Sequence, residues 1–545
     1  MKPVENTSEW KALSIHARQL RRIHLRRLFA GDLHRAERFS LADDDLMIDF
    51  SKQRIDDETF ALLLNLAASR GVIEQARAMA AGAILNPTER RPVLHTALRL
   101  REDASLFVAG VDLGAAVRSV RERMAAISGQ VRDGNWKGIT GKVLRTVVHL
   151  GIGGSALPLQ AALEALRPHI REDIQIHILS NIDGAALQEL WPRIDPETTL
   201  FIVASKTFTT EETLANARTL RDRLGRIFPW SEYSRAHFVA VSTALDRIGE
   251  FGIPPEHILP MWDWVGGRFS LCSAVGLALM IGIGPDRFLD MLTGYAAMDR
   301  HFLETPTERN LPVILALLDI WNHQFLGFPT RAVLAYDHRL RTFPAYVQEL
   351  EMESNGKSVG LDGRPIKVKT APVVWGGTGT DAQHAFFQHL HQGTQIVPTD
   401  FIACVHPDHS ETDHHQRLLA NCLAQSQALA FGKTAAEVRR EGLDPELLPH
   451  KVFTGNRPST TILLDRLTPR AYGRLMAMYE HKTAVLGWIW GINSFDQFGV
   501  ELGKVQARQI LPLLAGEGDG SSLDSSTRLL LFRIGRQPSD SIDNP

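Results

Sequence analysis

Cysteine is scarce: Cys272, Cys404 and Cys422 are the three in 545 residues. Three thiols cannot pair completely and none shows C-x-x-C spacing, which excludes a disulfide framework and suits a reducing compartment, so the expected address is the cytoplasm. Charge of one sign is also lacking. Sixty Lys and Arg oppose 62 Asp and Glu, a formal net charge of −2, so no global field draws a polyanion and nucleic acid is not an expected partner. Long apolar runs are missing. The longest, Leu271 to Gly284, is too short and too punctuated by glycine to cross a bilayer of about 30 Å, and no apolar stretch follows Lys2 to read as a secretory signal. No solenoid-type repeat is present. What remains, 44% hydrophobic and 22% charged residues, is the balance of an ordinary globular protein. Its length exceeds what one hydrophobic core supports, so two or three compact units are expected.

Residues 1–120 read as helices, with apolar residues three and four apart in Phe60-Ala61-Leu62-Leu63-Leu64-Asn65-Leu66. The basic run Arg21 to Arg27 fits the wet face of an amphipathic helix better than an anion patch. Over 121–290, the runs Val147–Leu150, Ile174–Leu179, Leu200–Ala204 and Phe238–Val241 alternate with helix-length segments. That alternation predicts an α/β domain with a parallel sheet covered on both faces, whose ligands lie beyond the carboxyl ends of the strands. A second α/β domain is expected over 291–510, with strands at Arg331–Tyr336, Pro372–Trp375, Ile396–Ile402 and Thr460–Leu464. Residues 511–545 read as a flexible linker, rich in glycine and serine, and a tail in which Leu529 to Phe532 form an apolar docking turn.

The loops after the first and third strands of the first domain carry the chemistry. Gly151-Ile152-Gly153-Gly154-Ser155-Ala156 lets backbone approach a ligand at a helix N-terminus. It also fits a dinucleotide fingerprint, although the supporting acid, Asp183, arrives late. Ser205-Lys206-Thr207-Phe208-Thr209-Thr210 offers hydroxyls and a lysine suited to a phosphate monoester, while Thr209 with Glu212 also fits a helix-capping box. Two such loops at neighbouring strand ends favour one terminal phosphate over a bridged cofactor.

An acidic side chain stands in an unusual place. Pro344 opens a helical pattern that should end at Ser354-Asn355-Gly356 in a left-handed cap. Glu353 would then face the negative end of the helix dipole with Glu349 and Glu351 close by, which raises its pKa and makes it a base. The alternative is a solvated surface glutamate. Arg268, in Val265-Gly266-Gly267-Arg268-Phe269-Ser270, is either a surface ion-pair partner or a fixed cation facing developing negative charge. His384 is expected in the first turn of a helix, where the dipole keeps the ring neutral and fit for acid–base work. Gln497 and Lys504 lie seven apart on one expected helix face, with Glu501 an alternative partner for Lys504. Cys404, His406, His409, His414 and His415 cluster without a recognisable zinc spacing.

Taken together, Gly151–Ser155, Ser205–Thr210, Val265–Ser270, Met352–Lys357, Gln383–Phe386, His391–Thr394 and Ile492–Lys504 resemble the glucose-6-phosphate isomerase family, in the family's order. The resemblance implies two sugar-isomerase αβα domains with an N-terminal helical region and a C-terminal arm, in a homodimer with its active site at the subunit contact. It implies aldose–ketose isomerisation of a sugar phosphate through a cis-enediol, with no metal or nucleotide cofactor. By resemblance Glu353 is the base, Arg268 stabilises the enediolate, and His384 (from the partner subunit) and Lys504 open the ring. Ser205, Lys206, Thr207 and Thr210 hold the phosphate, Gly154 and Ser155 line the sugar pocket, and Gln497 contacts substrate. The chain departs from the family pattern at Ala156, Pro158, Gly377-Thr378 and Asp381-Ala382, and at Glu349, where a substrate-contacting glutamine is usual. A sugar-phosphate sensor on the same fold would need only the phosphate loops, and a nicotinamide-dependent dehydrogenase would need the dinucleotide reading of the first.

Overall fold

Strand-length runs rich in β-branched residues form two separate main sheets in the computed structural model, which describes residues 2–442, 444–518 and 520–535. The chain divides into two compact units, Met1–Phe495 and Asp496–Pro545. In the first, β1 Ser40–Asp43 and β2 Leu46–Asp49 precede β3 Thr146–Leu150, β4 Gln175–Leu179, β5 Thr199–Ala204, β6 Phe238–Ser242 and β7 Ile258–Pro260. Then follow β8 Thr330–Tyr336, β9 Val373–Thr378, β10 Thr399–Cys404 and β11 Ser459–Leu464.

One sheet has the order β4-β3-β5-β6-β7 and is parallel throughout. Strands β3, β5 and β6 are buried along their whole length, as a sheet covered on both faces requires. The other has the order β1-β2-β11-β10-β8-β9. Its last four strands are parallel, but β1 and β2 form an antiparallel hairpin that pairs onto β11. The N-terminal region, expected to be helical, therefore contributes two strands to this sheet, and Phe107–Val108 pairs with Val111–Asp112 in a separate two-stranded hairpin. The turn between β1 and β2 is built on Asp44, at φ 54, a conformation aspartate tolerates better than most residues.

In each sheet the chain leaves one strand toward one side and returns on the other, at β3 and at β8. Crevices open at such switch points beyond the carboxyl ends of the strands. The loops 151–156 and 205–210 sit at the ends of β3 and β5, and β8 leads into the helix that carries Glu353.

Six helices of the first unit frame the crevices and the core between them: α1 Leu157–Ala165, α2 Glu211–Gly225, α3 Pro285–Glu304, α4 Phe343–Asn355, α5 Gly379–Ala385 and α6 Pro469–Trp490. Nearly every residue of α6 is buried, the signature of a helix passing through a core. Its Lys482 and the β8 residue Arg331 are buried within a cluster of acids. Arg331 Nη2 lies 2.6 Å from Glu351, Lys482 Nζ 3.0 Å from Glu351 and 2.5 Å from Asp319, and Arg331 Nη1 binds Asp400. Burial makes such charges costly unless paired, and all five are paired.

The second unit holds a short 3₁₀ turn, Phe498–Val500, and helices α7 Glu501–Leu514 and α8 Ser525–Gly535. Leu529 and Leu530, expected in a docking turn, lie in α8 and are 59% and 57% exposed. Among the described residues no helix is long and apolar enough to cross a membrane.

Candidate active site

Helix α4 places three acids two residues apart, and helical geometry sends them in different directions. Glu349 and Glu353, one turn apart, share a face. Glu351 turns into the core, where Arg331 and Lys482 neutralise it, so it does not load Glu353 with negative charge as proximity in sequence suggested. The helix ends at Asn355 as expected, but Gly356 has φ −72 and is not a left-handed cap. Lys357 closes the helix instead: its Nζ donates to the carbonyls of Ser354 (2.9 Å) and Asn493 (3.0 Å). A cation on the last carbonyls opposes the negative dipole end.

Glu353 faces Arg268. The guanidinium is 1% exposed, and Nη1 lies 3.1 Å from Glu353 Oε2. Its Nε donates to Ser354 Oγ at 2.6 Å, and its Nη2 donates to the Ser494 carbonyl, also at 2.6 Å. Arg268 is thus a buried, positioned cation and not a surface ion-pair partner. The carboxylate beside it keeps 28% of its side-chain surface accessible, so one face of Glu353 is open to a ligand while the other is fixed. Ser354 and the Ser494 carbonyl were not singled out from the sequence. Ser354 lies inside the stretch read for Glu353, but its hydroxyl looked like part of a turn, and a carbonyl partner leaves no residue-type signal at all.

Gly154 joins the first loop to this arginine. A Cβ on Gly154 would stand 2.2 Å from both Arg268 N and Gly267 C, so only glycine lets these two backbone segments touch. Ser270 Oγ donates to the Gly154 carbonyl at 3.3 Å. The neighbouring Ser155 is held by its carbonyl, which accepts from His149 Nε2 at 2.8 Å, and burial pushes that imidazole down to about 4. Asp183, weighed as a ribose ligand, accepts from Ala185 N at 3.0 Å and caps the following short helix.

In the second loop Ser205 Oγ and Thr210 Oγ1 are 3.0 Å apart, and Thr207 Oγ1 and Thr209 Oγ1 are 2.6 Å apart. The capping box expected from Thr209 and Glu212 does not form. Thr210 is the N-cap residue of α2 and its side chain makes no capping bond, which leaves the hydroxyls to one another. Phe208 between them adopts φ 50, a strained conformation for an aromatic residue of the kind that collects at ligand sites. Lys206 Nζ donates to the carbonyls of Asp263 (2.7 Å) and Val265 (3.0 Å), and burial pulls its pKa down to about 8. Lys206 therefore links this loop to the segment leading into Arg268.

The remaining expected residues are His384, Gln497 and Lys504. His384 lies in the last turn of the seven-residue α5, not the first, because the helix ends at Ala385. The first-turn position on which the expectation of a neutral ring rested is therefore not the one His384 occupies. Its side chain is exposed and, among the described residues, has no hydrogen-bond partner. Gln497 and Lys504 belong to the second unit. Gln497 has φ −152 and precedes the 3₁₀ turn, so the two do not share a helix face, and Lys504 stands exposed in the first turn of α7 with no Glu501 ion pair among the described residues. No group of three or more metal-ligating residues occurs among the described residues. His415 bonds the Val405 carbonyl and His406 faces Asp465.

A carboxylate held against a fixed guanidinium, with two donor loops joined to the same arginine, places the chain in the class of α/β sugar isomerases. The comparisons specify which one. The model of the phosphoglucose isomerase family matches residues 49–531. The glucose-6-phosphate isomerase of Frankia casuarinae is 50% identical over 97% of this chain and 96% of its own, and that of Deinococcus deserti is 49% identical over 97% and 98%. The crystal structure of the glucose-6-phosphate isomerase from Chlamydia trachomatis superposes with a TM-score of 0.85, at 36% identity over 98% of this chain and 100% of that one. The chain belongs to the phosphoglucose isomerase family.

Proposed function

We propose that the protein interconverts glucose 6-phosphate and fructose 6-phosphate, serving glycolysis and gluconeogenesis. The observation that carries the reading is the pairing of Glu353 Oε2 with Arg268 Nη1 at 3.1 Å, beside loops of glycine, hydroxyls and lysine. Proton abstraction next to a carbonyl needs a positioned base and a fixed positive group for the oxyanion. In the forward direction Glu353 takes the proton from C2 of the open-chain aldose, and the electron pair moves toward O1 to give a cis-enediolate. Arg268 faces that negative charge. Glu353 then returns the proton to C1 while the proton on O2 passes to O1, leaving the ketose. No oxidant or reductant is consumed.

Ser205, Lys206, Thr207 and Thr210 hold the phosphate, Gly154 and Ser155 bound the sugar, and Gln497 contacts it. Gripping the ester far from the reacting carbons converts binding energy into orientation. His384 and Lys504 act in ring opening. The exposed, unbonded imidazole of His384 supports a role across a subunit contact, in a homodimer whose active site lies at that contact. The α/β domains span 121–290 and 291–510, and the protein works in the cytoplasm.

A coupled assay on glucose 6-phosphate, run with wild type and Glu353→Gln, tests this. The variant should lose at least about 100-fold in kcat while still binding the phosphate ester. A smaller loss means another group is the base, and no turnover by wild type removes the isomerase reading.

A further inference from the structure

Apart from the Glu353 site, a cavity of about 260 Å³ opens between the N-terminal segment and the 360–367 loop, with the end of α6 as its floor. It includes no residue of the 151–155 or 205–210 loops, and neither Arg268 nor Glu353. Its charged lining is unbalanced: Lys2, Arg70, Arg364 and Lys367 face Glu5 and Asp362, four cations against two anions. Arg70 is the group that needs explaining. It is 3% exposed, yet among the described residues no carboxylate lies within ion-pair distance of it.

One edge of the Arg70 guanidinium is already used, since Nη1 donates to the Lys2 carbonyl at 2.8 Å. On the other edge Nε is buried with no acceptor, and Nη2 makes no hydrogen bond among the described residues. Nε and Nη2 form the side of the fork that receives two oxygens of one carboxylate or phosphate. Gly491 lies against that edge: it adopts φ +76, and a Cβ there would stand 3.0 Å from Nη2. Trp490, 3% exposed and also part of the lining, has its indole Nε1 buried without an acceptor.

A buried guanidinium whose nearby acid, Glu5, stands beyond ion-pair distance is costly, and unbonded buried donors add to the cost. A bound oxyanion relieves both. The apolar part of the wall, Val4, Pro3, Leu361 and Ile366, leaves room for the body of a small organic molecule behind its charged head. We propose that this cavity is a second anion-binding site, which takes a small organic anion by its carboxylate or phosphate group on the Nε–Nη2 edge of Arg70, with Arg364 and Lys367 supplying the outer charge.

The test is calorimetric titration of the full-length protein with inorganic phosphate, comparing wild type, Arg70→Gln and Lys206→Ala. Wild type should show two classes of site. Arg70→Gln should weaken one class at least 10-fold and leave isomerase turnover unchanged, whereas Lys206→Ala should weaken the other. The isomerase reading and this one therefore fail separately. The double variant Arg364→Ala/Lys367→Ala, altered only at exposed positions, reads the same site without touching the core and should weaken the same class and flatten its salt dependence. A phosphate titration of either variant that superimposes on wild type overturns the proposal.

Discussion

Replacing Glu349 by glutamine should make the protein more stable, and increasingly so as pH rises. Glu349 lies one helical turn before Glu353, and its Oε2 is buried with no hydrogen-bond partner. Burial first, and then the neighbouring charge of Glu353, raise its pKa from the ordinary 4.5 to about 7, with Arg268 pulling the other way. Below pH 4.5 the carboxyl is protonated in both the folded and the unfolded chain, so it contributes no pH dependence. Between about 4.5 and 7 the unfolded chain releases the proton while the folded one keeps it, and stability falls with pH by linkage. Above 7 both forms are ionised and the loss is complete. A shift of about 2.5 units corresponds to about 3 kcal/mol. Glutamine is permanently neutral and nearly isosteric, so it removes this term. Urea unfolding of wild type and Glu349→Gln at pH 5, 6, 7 and 8 should give a stability difference that grows toward about 3 kcal/mol in favour of the variant. The other titrations of the molecule cancel in that difference. A gap that stays flat with pH, or a wild type that gains on the variant at pH 8, refutes the account of Glu349 as a buried neutral acid.

Two further outcomes are expected. Gly154→Ala must separate the 154 and 267–268 backbones, because its Cβ would sit 2.2 Å from Arg268 N; displacing the cation should cost about 10²-fold or more in kcat, while circular dichroism reports an intact fold. Glu351→Ala leaves Arg331 and Lys482 short of one counter-charge in the core and should destabilise by about 3–5 kcal/mol, measured by denaturant midpoint.

The central strands were legible because β-branched and apolar runs buried on both faces leave a continuous signal. The β1–β2 hairpin was not, since it is four residues a side around Asp43-Asp44-Asp45, and charge at a turn hides the alternation. Strand β7 escaped as well: three residues at a sheet edge, ending in Pro260, carry little pattern. At the site, residue types pointed to Glu353, Arg268 and the Ser205–Thr210 loop. The partners that hold them were hidden, because Arg268 is fixed by a serine hydroxyl and a carbonyl 226 residues away in sequence. His384 was put at the wrong end of its helix because β9 continues through Gly376-Gly377-Thr378 and α5 stops after seven residues, and a short helix has no room for a separate middle.

Lys206, resting on the Asp263 and Val265 carbonyls, braces the strip of backbone that leads to Arg268. On the role proposed for Lys206, an arriving phosphate ester draws the ammonium from those oxygens, whereas a sugar without its phosphate leaves the brace undisturbed. The far end of the substrate is thereby felt along the strip of backbone that presents the guanidinium, and discrimination against unphosphorylated sugars begins with a tug on one lysine.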